Sequence, residues 1–401
     1  MNHLSRHSKP DPNDLRHAGR APIVAAMLAA RQQTIGLLEH LTPEQWQVPY
    51  LRTINPPLWE LGHVGWFQEY WCHRWLGLDE PRASMLIDAD AFFDSRVVDH
   101  RSRWQMAMPA LADVKTYLAD VLDQTLDQVE RTEETPEQQY FHRLTLFHEH
   151  MHIEAMAYTW QTLAVPLGQA AGLASTMPNN PRALAKDLAV AAGTWTLGSG
   201  KDEAFIFDNE KWAHEQLVAA FVIASQPVSN AQFLEFVAAA GYQHAAFWDA
   251  DYFAALTASG RHMPHYWRQQ DGVWQRRRFD CWEAIPANEP VVHVSAFEAQ
   301  AYCRWAKRRL PSEIEWEMAA HQRKGFSWGD QVWEWTSSVF QPFPGFSPDP
   351  YSDYSQPAFG NTRVVRGGSY LTPRPLLHLK FRNYFEPQRH DMFVGFRTCA
   401  L

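Results

Sequence analysis

The sequence predicts a helical bundle in the N-terminal part of the chain and an α+β domain in the C-terminal part. The 401 residues exceed what a single hydrophobic core usually serves. From about residue 21 to 166, apolar residues recur at three- and four-residue intervals and Gly is scarce. Further along, short β-like runs alternate with Gly, Pro and aromatic residues, so we predict domains at 1–175 and 185–401.

The helical periodicity is strongest in four segments of the first domain. They are joined by short polar or Pro-containing links, which is typical of a four-helix bundle. The predicted helices span residues 21–41, 57–76, 111–131 and 137–164. A loop at 175–182 separates them from the second domain, for which we predict strands at 195–197 and 217–224 and helices at 230–240 and 296–308.

Composition excludes several classes of function. The formal charge of −9 is spread along the chain without a basic stripe, which argues against a nucleic-acid partner. No apolar stretch approaches the roughly 18 residues of a membrane span, and the polar N-terminal segment lacks a signal peptide, so we expect a cytoplasmic protein. The four cysteines are scattered and predict buried free thiols. Nothing in the sequence indicates an oligomeric state.

The sequence HEHMH at 148–152 is the strongest chemical signal and lies within the fourth predicted helix. His148 and His152 are four residues apart, so both rings lie on one helix face and can bind one ion. Apolar residues share that face, which places the imidazoles inside the bundle. Since a buried imidazole pair without a partner costs stability, the pattern indicates a metal or hydrogen-bonding partners.

His63 extends the same pattern to the second predicted helix. Asn55, Pro56 and Pro57 supply a cap and an N-terminal proline, and Trp59 shares the apolar stripe of His63. Inward side chains on facing bundle helices commonly build metal sites, so the three histidines predict a three-nitrogen site.

Two other interpretations of these histidines stay open at this point. A lone histidine on an apolar face is more often an ordinary core residue, which applies to His63 taken alone. The segment at 148–152 also matches the HExxH motif of zinc proteases, in which Glu149 would be the general base.

A series of motifs makes the second domain recognisable. Residues 190–401 resemble the formylglycine-generating-enzyme-like domain, a fold related to C-type lectins. The motifs, in order, are GTWTLGS at 193–199, DNE at 208–210, PVSN at 227–230, PVVHVS at 290–295, AYCRWA at 301–306, RLPSEIEWE at 309–317, VWEWT at 332–336, RGGS at 366–369 and GFR at 395–397.

The first domain resembles the helical DinB-like domain through LWELGH at 58–63 and HExxH at 148–152. Together the two domains resemble the ergothioneine-type sulfoxide synthases. The resemblance implies that His63, His148 and His152 bind Fe(II) and leave coordination positions for a substrate imidazole, a thiolate or selenolate, and O₂. It further implies coupling of sulfur or selenium to the imidazole carbon of hercynine, with oxidation to the sulfoxide or selenoxide.

The resemblance also assigns substrate and catalytic residues. Asn383 matches the asparagine that contacts the trimethylammonium substrate hercynine, and the ring of Tyr384 would add cation–π attraction. A catalytic tyrosine of the family lies between the VWEWT and RGGS motifs, where Tyr351 and Tyr354 are both candidates. Arg382 and Arg397 belong to fold-defining motifs, and we expect them to pair inside the domain.

The chain departs from relatives that use γ-glutamylcysteine, and the departures bear on the donor. Phe385 occupies the position of an Asp that holds the thiol substrate, Met151 stands where Gln is common, and the region at 93–109 is shortened. The stretch at 55–67 is similar to selenoneine synthases, so we favour a selenosugar donor over cysteine or γ-glutamylcysteine.

Three arginines of the shortened region remain candidate donor contacts. We assign Arg103 to substrate binding and leave the roles of Arg96 and Arg101 open, although a solvated basic run is the commoner explanation of such a pattern.

Two further functions compete with the iron synthase. Copper-dependent formylglycine formation needs two cysteines near the C-terminal motifs, and residues 366–397 contain none. Lectin-like domains also act as binding modules without chemistry, but three inward histidines on the other domain argue against that function.

Overall fold

The computed structural model describes residues 14–75, 77, 80–169, 172–173, 176–177 and 185–401. It confirms the predicted fold class, because a helical N-terminal part precedes an α+β part. Of the predicted loop at 175–182, all but residues 176 and 177 lie outside the described residues, as does Leu76 at the predicted end of the second helix. The predicted division at 175 and 185 therefore stays a prediction.

Among the described residues, the helical part contains four long helices near the predicted positions and one short helix that the sequence pattern does not predict. They are α1 (Arg20–Gly36), α2 (Pro57–Glu69), the short α3 (Ala89–Phe93), α4 (Leu111–Arg131) and α5 (Tyr140–Leu163). α2 ends before its predicted boundary because the chain continues as a π-helix over Tyr70–Arg74, closed by a bond from the Trp75 amide to the Tyr70 carbonyl. The predicted cap of α2 is wrong, since Pro56 is the N-cap residue and Asn55 binds elsewhere.

Small residues let neighbouring groups approach α2 closely. A Cβ built on Gly62 would overlap the ring of Phe93, and one built on Gly65 would lie 2.9 Å from a methyl carbon of Leu118. The large side chains of Trp59 and Phe67 are buried at the same helix. α2 therefore packs tightly against α3 and α4, which fixes the height and rotation of the helix that carries His63.

The C-terminal part contains several small sheets and short helices. The helices are α6 (Asn230–Ala238), α7 (Ala250–Ser259), α8 (Ala296–Trp305) and α9 (Glu313–Gln322). The strands are β1 (Asp187–Val190), β2 (Gly193–Leu197), β3 (His214–Val218), β4 (Phe221–Ala224), β5 (Trp267–Gln270), β6 (Val273–Arg278), β7 (Cys281–Ala284), β8 (Arg308–Arg309), β9 (Trp333–Val339), β10 (Arg363–Gly367), β11 (Asn383–Phe385), β12 (Val394–Phe396) and β13 (Cys399–Ala400).

The strands form sheets ordered β1-β4-β13-β8, β11-β10-β9-β12, β2-β3 and β5-β6-β7. The single strand predicted at 217–224 is wrong, because β3 and β4 belong to different sheets. α7 and α9 were not predicted, although Ser312 and Glu315 form a capping box at the start of α9. β11, which carries Asn383, pairs with β10 in the second sheet.

Buried ion pairs hold the second part together. The Arg382 guanidinium binds Glu313 at 2.9 and 3.0 Å, and Arg397 binds Glu334. The expected pairing of both arginines inside the domain is therefore confirmed. All four cysteines are free, but Cys281 is exposed, so the prediction of buried thiols is wrong for that residue.

α5 also contacts the second part through a buried carboxylate. Glu154 Oε1 accepts hydrogen bonds from Trp333 Nε1, Ser369 Oγ and Thr372 Oγ1 at 2.7–2.8 Å. Tyr140 at the start of the helix donates to Asp349 at 2.8 Å. These contacts place one face of the histidine-bearing helix against the second part. Within the described part of the chain we find no helix with the length and apolar character that crossing a membrane requires.

Replacing Gly62 with alanine tests whether close packing sets the position of α2. Alanine normally stabilises a helix interior by about 1 kcal/mol relative to glycine. Here the added methyl displaces Phe93, so we expect Gly62→Ala to lower the free energy of unfolding by about 1–3 kcal/mol in urea titrations. Gly65→Ala should cost less, because its nearest contact is a flexible leucine side chain at 2.9 Å and the ring of Tyr117 is farther away, at 3.3 Å. A Gly62→Ala protein more stable than the wild type would contradict this packing.

Candidate metal centre

Three histidines from two helices converge at the centre of the bundle. His63 lies on α2, and His148 and His152 lie on α5. One nitrogen from each ring lies within 4.8 Å of the other two, and the Nε2 atoms of His148 and His152 are 3.2 Å apart. We call this group the histidine cluster. Two of its rings are buried and the third is half-buried.

Hydrogen bonds fix which nitrogen is free in two of the three rings, His63 and His152. The Phe93 carbonyl can only accept, so His63 donates to it through Nδ1 at 2.8 Å and keeps an unprotonated Nε2. His152 Nδ1 is 2.5 Å from Glu60 Oε2, which likewise leaves its Nε2 toward the cluster. His148 Nδ1 is buried and has no partner within the described residues.

Burial favours the neutral form of two of the imidazoles, His63 and His148. It lowers the pKa of His63 to about 3 and that of His148 well below its ordinary value, and the neighbouring histidines lower both further. Burial alone would raise the pKa of Glu60, but the His152 ring beside it holds that pKa at about 2. The cluster therefore offers ring lone pairs beside a buried carboxylate.

Stacked aromatic rings hold two of the imidazoles in plane. Trp59 stacks on His63 with ring centroids 4.6 Å apart and an angle of 11° between the rings. Phe67 stacks on His148 at 3.5 Å and 5°. Because both aromatic side chains are buried, neither imidazole can turn without displacing one of them.

The geometry suits a first-row divalent metal ion. Two nitrogens that each lie about 2.1 Å from one ion, at right angles, are about 3 Å apart. The 3.2 Å between the Nε2 atoms of His148 and His152 matches that spacing. Three imidazole ligands would also leave further coordination positions for exogenous ligands. The residues present therefore fit a metal, which also accounts for the buried nitrogens that face one another.

Glu149 is not part of this centre, although its carboxylate is buried. Its Oε1 accepts from Arg31 Nε at 2.9 Å and from Thr34 Oγ1 at 2.8 Å, both on α1. These hydrogen bonds direct the Glu149 carboxylate to α1 and away from the histidine cluster. The zinc-protease interpretation needs this carboxylate beside the ion and is therefore wrong.

Sequence reasoning missed Glu60, which contacts the cluster directly. Glu60 is 4% exposed and lies one helical turn before His63 in the LWELGH motif. Its second oxygen, Oε1, accepts from Asn55 Nδ2 at 2.7 Å. A charged residue inside an otherwise apolar motif, three positions from a candidate ligand, is the signal that would have identified it.

Tyr351 approaches the cluster from the second part of the chain. Its ring centroid is 4.9 Å from that of Phe67 and 6.4 Å from that of His148. Tyr354 lies farther along, where its ring stacks against Phe207 at 5.1 Å. Burial raises the pKa of both phenols. Of the two predicted candidates, Tyr351 is the one whose ring contacts the aromatic shell of the histidines.

Asn383, Tyr384 and Phe385 line a cavity of about 250 Å³, which we call the inner cavity. α5 contributes Met151 and Glu154 to its wall. Asn383 Oδ1 accepts from the Tyr384 amide at 2.8 Å, and the Tyr384 hydroxyl donates to the carbonyl of Tyr354. The inner cavity thus joins the predicted substrate residues to the helix that carries two histidines.

A larger cavity of about 650 Å³, the outer cavity, shares lining residues with the inner one. Its charged side chains occur in pairs. Arg52 lies 3.6 Å from Glu386, and Arg389 binds Asp391 at 2.6 Å. Phe385 lies under the Arg389 guanidinium at 5.3 Å. The outer cavity is therefore polar without an unbalanced charge among these residues.

The arginines of the shortened region are placed differently from one another. Arg96 binds Asp94 and lies 4.7 Å over the ring of Tyr70. Arg103 is half-buried and lies 3.7 Å over the ring of Trp59, behind the histidine cluster. Arg101 is exposed. A solvated basic run therefore describes Arg101 and also Arg96, which is exposed although it binds Asp94, but it is wrong for Arg103.

Comparison with known proteins connects both parts of the chain to described families. Residues 26–156 match the DinB superfamily, and residues 173–332 and 331–400 match the Sulfatase-modifying factor enzyme 1-like domain. A hercynine oxygenase from Mycolicibacterium thermoresistibile is 32% identical over 432 residues, covering 95% of each chain. One from Mycobacterium tuberculosis is 32% identical over 418 residues, covering 92% of this chain and 96% of its own. The formylglycine-generating enzyme of Streptomyces coelicolor is 29% identical over 254 residues, covering 48% of this chain and 80% of its own.

Metal titration tests the histidine cluster. We expect the wild type to bind one Co(II) or Fe(II) ion per chain under anaerobic conditions. His63→Ala, His148→Ala and His152→Ala should each lower the affinity by more than the roughly 10- to 100-fold that follows from removing a ligand's hydrogen-bond partner.

His150→Leu is the matched control for that titration. His150 lies on the same helix and is buried, and neither of its ring nitrogens has a hydrogen-bond partner within the described residues. Its substitution should leave the stoichiometry at one ion. If the three alanine variants bound metal as His150→Leu does, the ion would have to lie elsewhere.

Proposed function

The chain belongs to the family of the hercynine oxygenases, with a DinB superfamily domain ahead of a Sulfatase-modifying factor enzyme 1-like domain, and on that premise we propose that it uses Fe(II) and O₂ to join a selenium or sulfur donor to hercynine. The observation that carries the proposal is the histidine cluster on α2 and α5. If only the second part of the chain resembled the family, a reaction that does not use the three histidines would fit equally well. The cluster supports a metal site in the helical part.

The three imidazoles would hold the ion through nitrogens that point into one space. When bound, Fe(II) supplies Lewis acidity, redox capacity and open coordination positions for O₂ and the donor. The protein's own contribution is a set of imidazole ligands, of which burial favours the neutral form of His63 and His148 by lowering the pKa of both. Neutral ligands leave the positive charge of the ion uncompensated, so they favour a donor that binds as a thiolate or selenolate.

The inner cavity suits the permanent cation of hercynine. Tyr384 and Tyr158 present aromatic rings there, and Glu154 contributes a carboxylate. Burial raises the pKa of Glu154, but three hydrogen-bond donors on Oε1 stabilise its charged form. Aromatic faces and a buried carboxylate both attract a trimethylammonium group. Asn383 would then orient the substrate, as the resemblance implies.

The proposed reaction is balanced in atoms and electrons when O₂ is the only oxidant. The imidazole C–H and the Se–H or S–H bonds break, and a C–Se or C–S bond forms. One oxygen atom enters the selenoxide or sulfoxide, and the other leaves as water with the two hydrogen atoms. O₂ is thereby reduced by four electrons, two from bond formation and two from oxidation of the chalcogen.

We assign proton donation in this reaction to Tyr351. Its phenol is buried and its pKa is raised, so the hydroxyl stays protonated at neutral pH. Its ring contacts Phe67, which in turn stacks on His148. Tyr354 instead packs on Phe207 and uses its carbonyl to hold Tyr384, which fits a structural role.

A selenosugar is the donor that we favour. The paired charges of the outer cavity leave no unbalanced cation for a donor carboxylate among the residues described above, and Phe385 offers an apolar surface beside them. An uncharged donor with many hydroxyl groups meets these conditions. The alternative is a sulfoxide synthase that takes cysteine or γ-glutamylcysteine in ergothioneine biosynthesis.

Copper-dependent formylglycine formation is not supported by the cysteines. Cys72, Cys303 and Cys399 are buried, and Cys281 is exposed. Burial raises the pKa of Cys303 and Cys399, which disfavours their thiolates as metal ligands. The similarity to formylglycine-generating enzymes therefore reflects a shared domain and not a shared reaction.

An O₂ assay with a panel of donors tests the proposal. Anaerobically purified protein is loaded with Fe(II), mixed with hercynine and a selenosugar, cysteine or γ-glutamylcysteine, and exposed to O₂. We expect O₂ consumption only with hercynine and a donor together, and a product one oxygen atom heavier than the coupled compound by mass spectrometry. The selenosugar should give the highest kcat/KM. Turnover without hercynine would exclude the proposed function, and a preference for γ-glutamylcysteine would select the alternative.

Paired phenylalanine substitutions test the assignment of Tyr351. Removing the hydroxyl removes the proton donor, so Tyr351→Phe should lower kcat for the coupled product by about 10²- to 10⁴-fold or divert the donor to oxidation without coupling. Metal binding should not change. Tyr354→Phe is the matched control and should keep kcat within a few-fold of the wild type. The opposite pattern would transfer the role to Tyr354.

A further inference from the structure

Arg103 lies over the ring of Trp59, the residue that stacks on His63. Its guanidinium carbon lies 3.7 Å over the Trp59 ring. Trp59 in turn stacks on His63, at a centroid distance of 4.6 Å and an angle of 11°. The guanidinium, the indole and the imidazole therefore form a continuous stack that ends at a ligand of the histidine cluster.

The same arginine reaches a second histidine through hydrogen bonds. Arg103 Nη1 donates to Asn55 Oδ1 at 2.7 Å, and Asn55 Nδ2 donates to Glu60 Oε1 at 2.7 Å. Glu60 Oε2 lies 2.5 Å from His152 Nδ1. Because Arg103 can only donate, the Asn55 amide oxygen must face it, and the amide nitrogen must face Glu60.

Arg103 is itself anchored inside the protein. Nη2 donates to the Val98 carbonyl at 3.3 Å, and Nε is buried without a partner within the described residues. The next residue, Trp104, donates to the Val48 carbonyl at 2.9 Å. The contacts of the guanidinium are thus directed at protein groups behind the ligands, away from the two cavities.

We propose that Arg103, Asn55 and Glu60 are positioning residues that set the ring orientation and the tautomer of His63 and His152, with Arg103 coupling the two ligands. Carboxylate and carbonyl partners of metal-bound histidines fix which nitrogen faces the ion. Here one cation connects the partners of two ligands from different helices. The inference rests on the metal site of the proposed function, but on neither hercynine nor the donor, and it replaces donor binding as the role of Arg103.

The conservative substitution Glu60→Gln tests the hydrogen-bond network of Arg103, Asn55 and Glu60. In Glu60→Gln, the new amide must present its nitrogen either to His152 Nδ1 or to Asn55 Nδ2, and both of those are donors. Asn55 cannot turn to accept, since its oxygen is held by Arg103. Glu60→Gln therefore breaks one of two contacts without changing side-chain volume, and its effect on metal binding reports on the network and not on packing.

The experiment is an anaerobic Co(II) titration of the full chain, followed by the d–d absorption of the bound ion. Arg103→Met and Glu60→Gln should each weaken Co(II) binding by about 10- to 100-fold and shift the d–d bands, because the ligand geometry changes. Arg103→Lys should also weaken binding, since an ammonium replaces the planar stack and the fixed hydrogen bond. In the Arg103→Met/Glu60→Gln double variant, the loss of Co(II) binding free energy should be smaller than the sum of the losses in the two single variants. Such non-additivity is expected when both residues belong to one coupled network.

Two matched controls accompany these variants. Arg101→Met removes a neighbouring exposed arginine whose ring contact is Tyr50, at 5.5 Å. Glu149→Gln removes a buried carboxylate that binds Arg31 and is adjacent to His148 in the sequence. This substitution lowers the stability of the protein but leaves the histidine cluster unchanged. Both should keep the Co(II) affinity and spectrum of the wild type, with far-UV circular dichroism showing that each variant is folded.

Wild-type affinity and d–d bands in folded Arg103→Met and Glu60→Gln would overturn the inference while leaving the proposed function intact. A change confined to the KM of the donor in Arg103→Met would also overturn it and return Arg103 to substrate binding. A wild type that binds no Co(II) would remove the proposed metal site, and the inference with it. If Arg103→Met did not fold, Arg103→Lys and Glu60→Gln would decide the question by the same criteria.

Discussion

Three imidazoles buried in one place impose the main constraint on this protein. A buried polar ring costs stability unless its nitrogens have partners, and a charged one costs more. The chain meets part of this demand with the Phe93 carbonyl and the Glu60 carboxylate, and it leaves the remaining nitrogens facing one another. A shared cation would satisfy those nitrogens simultaneously. Much of the surrounding structure fixes the positions of the three imidazoles relative to one another.

The relative positions of the imidazoles depend on separate contacts that fix α2 and α5. The absence of side chains at Gly62 and Gly65 lets α3 and α4 close on α2, so that Phe93 comes within hydrogen-bonding distance of His63. α5 is held by Glu149, which binds α1, and by Glu154, which binds the second part of the chain. The second part thus contributes to the position of two ligands although it supplies none of them. That dependence gives a physical reason for both domains to be required.

Helical periodicity was sufficient to find the histidines, because a spacing of four residues determines which side chains share a face. The partners could not be found in the same way. Glu60 and Asn55 meet only once α2 has begun at Pro57, and Arg103 joins them from a separate segment of the chain. The motif match at Glu149 failed for a related reason, since its orientation depends on α1. Tyr351 could be chosen over Tyr354 only after folding had brought the loop beside Phe67.

The central claim is that His63, His148 and His152 hold one iron ion between them. Crystals grown anaerobically with Fe(II) allow the ion to be located by anomalous scattering at the iron edge. We predict a single strong peak about 2.1 Å from one nitrogen of each of the three rings, with Glu60 still on Nδ1 of His152. A peak bound by other residues, or three rings that point to separate places around an empty centre, would contradict the claim.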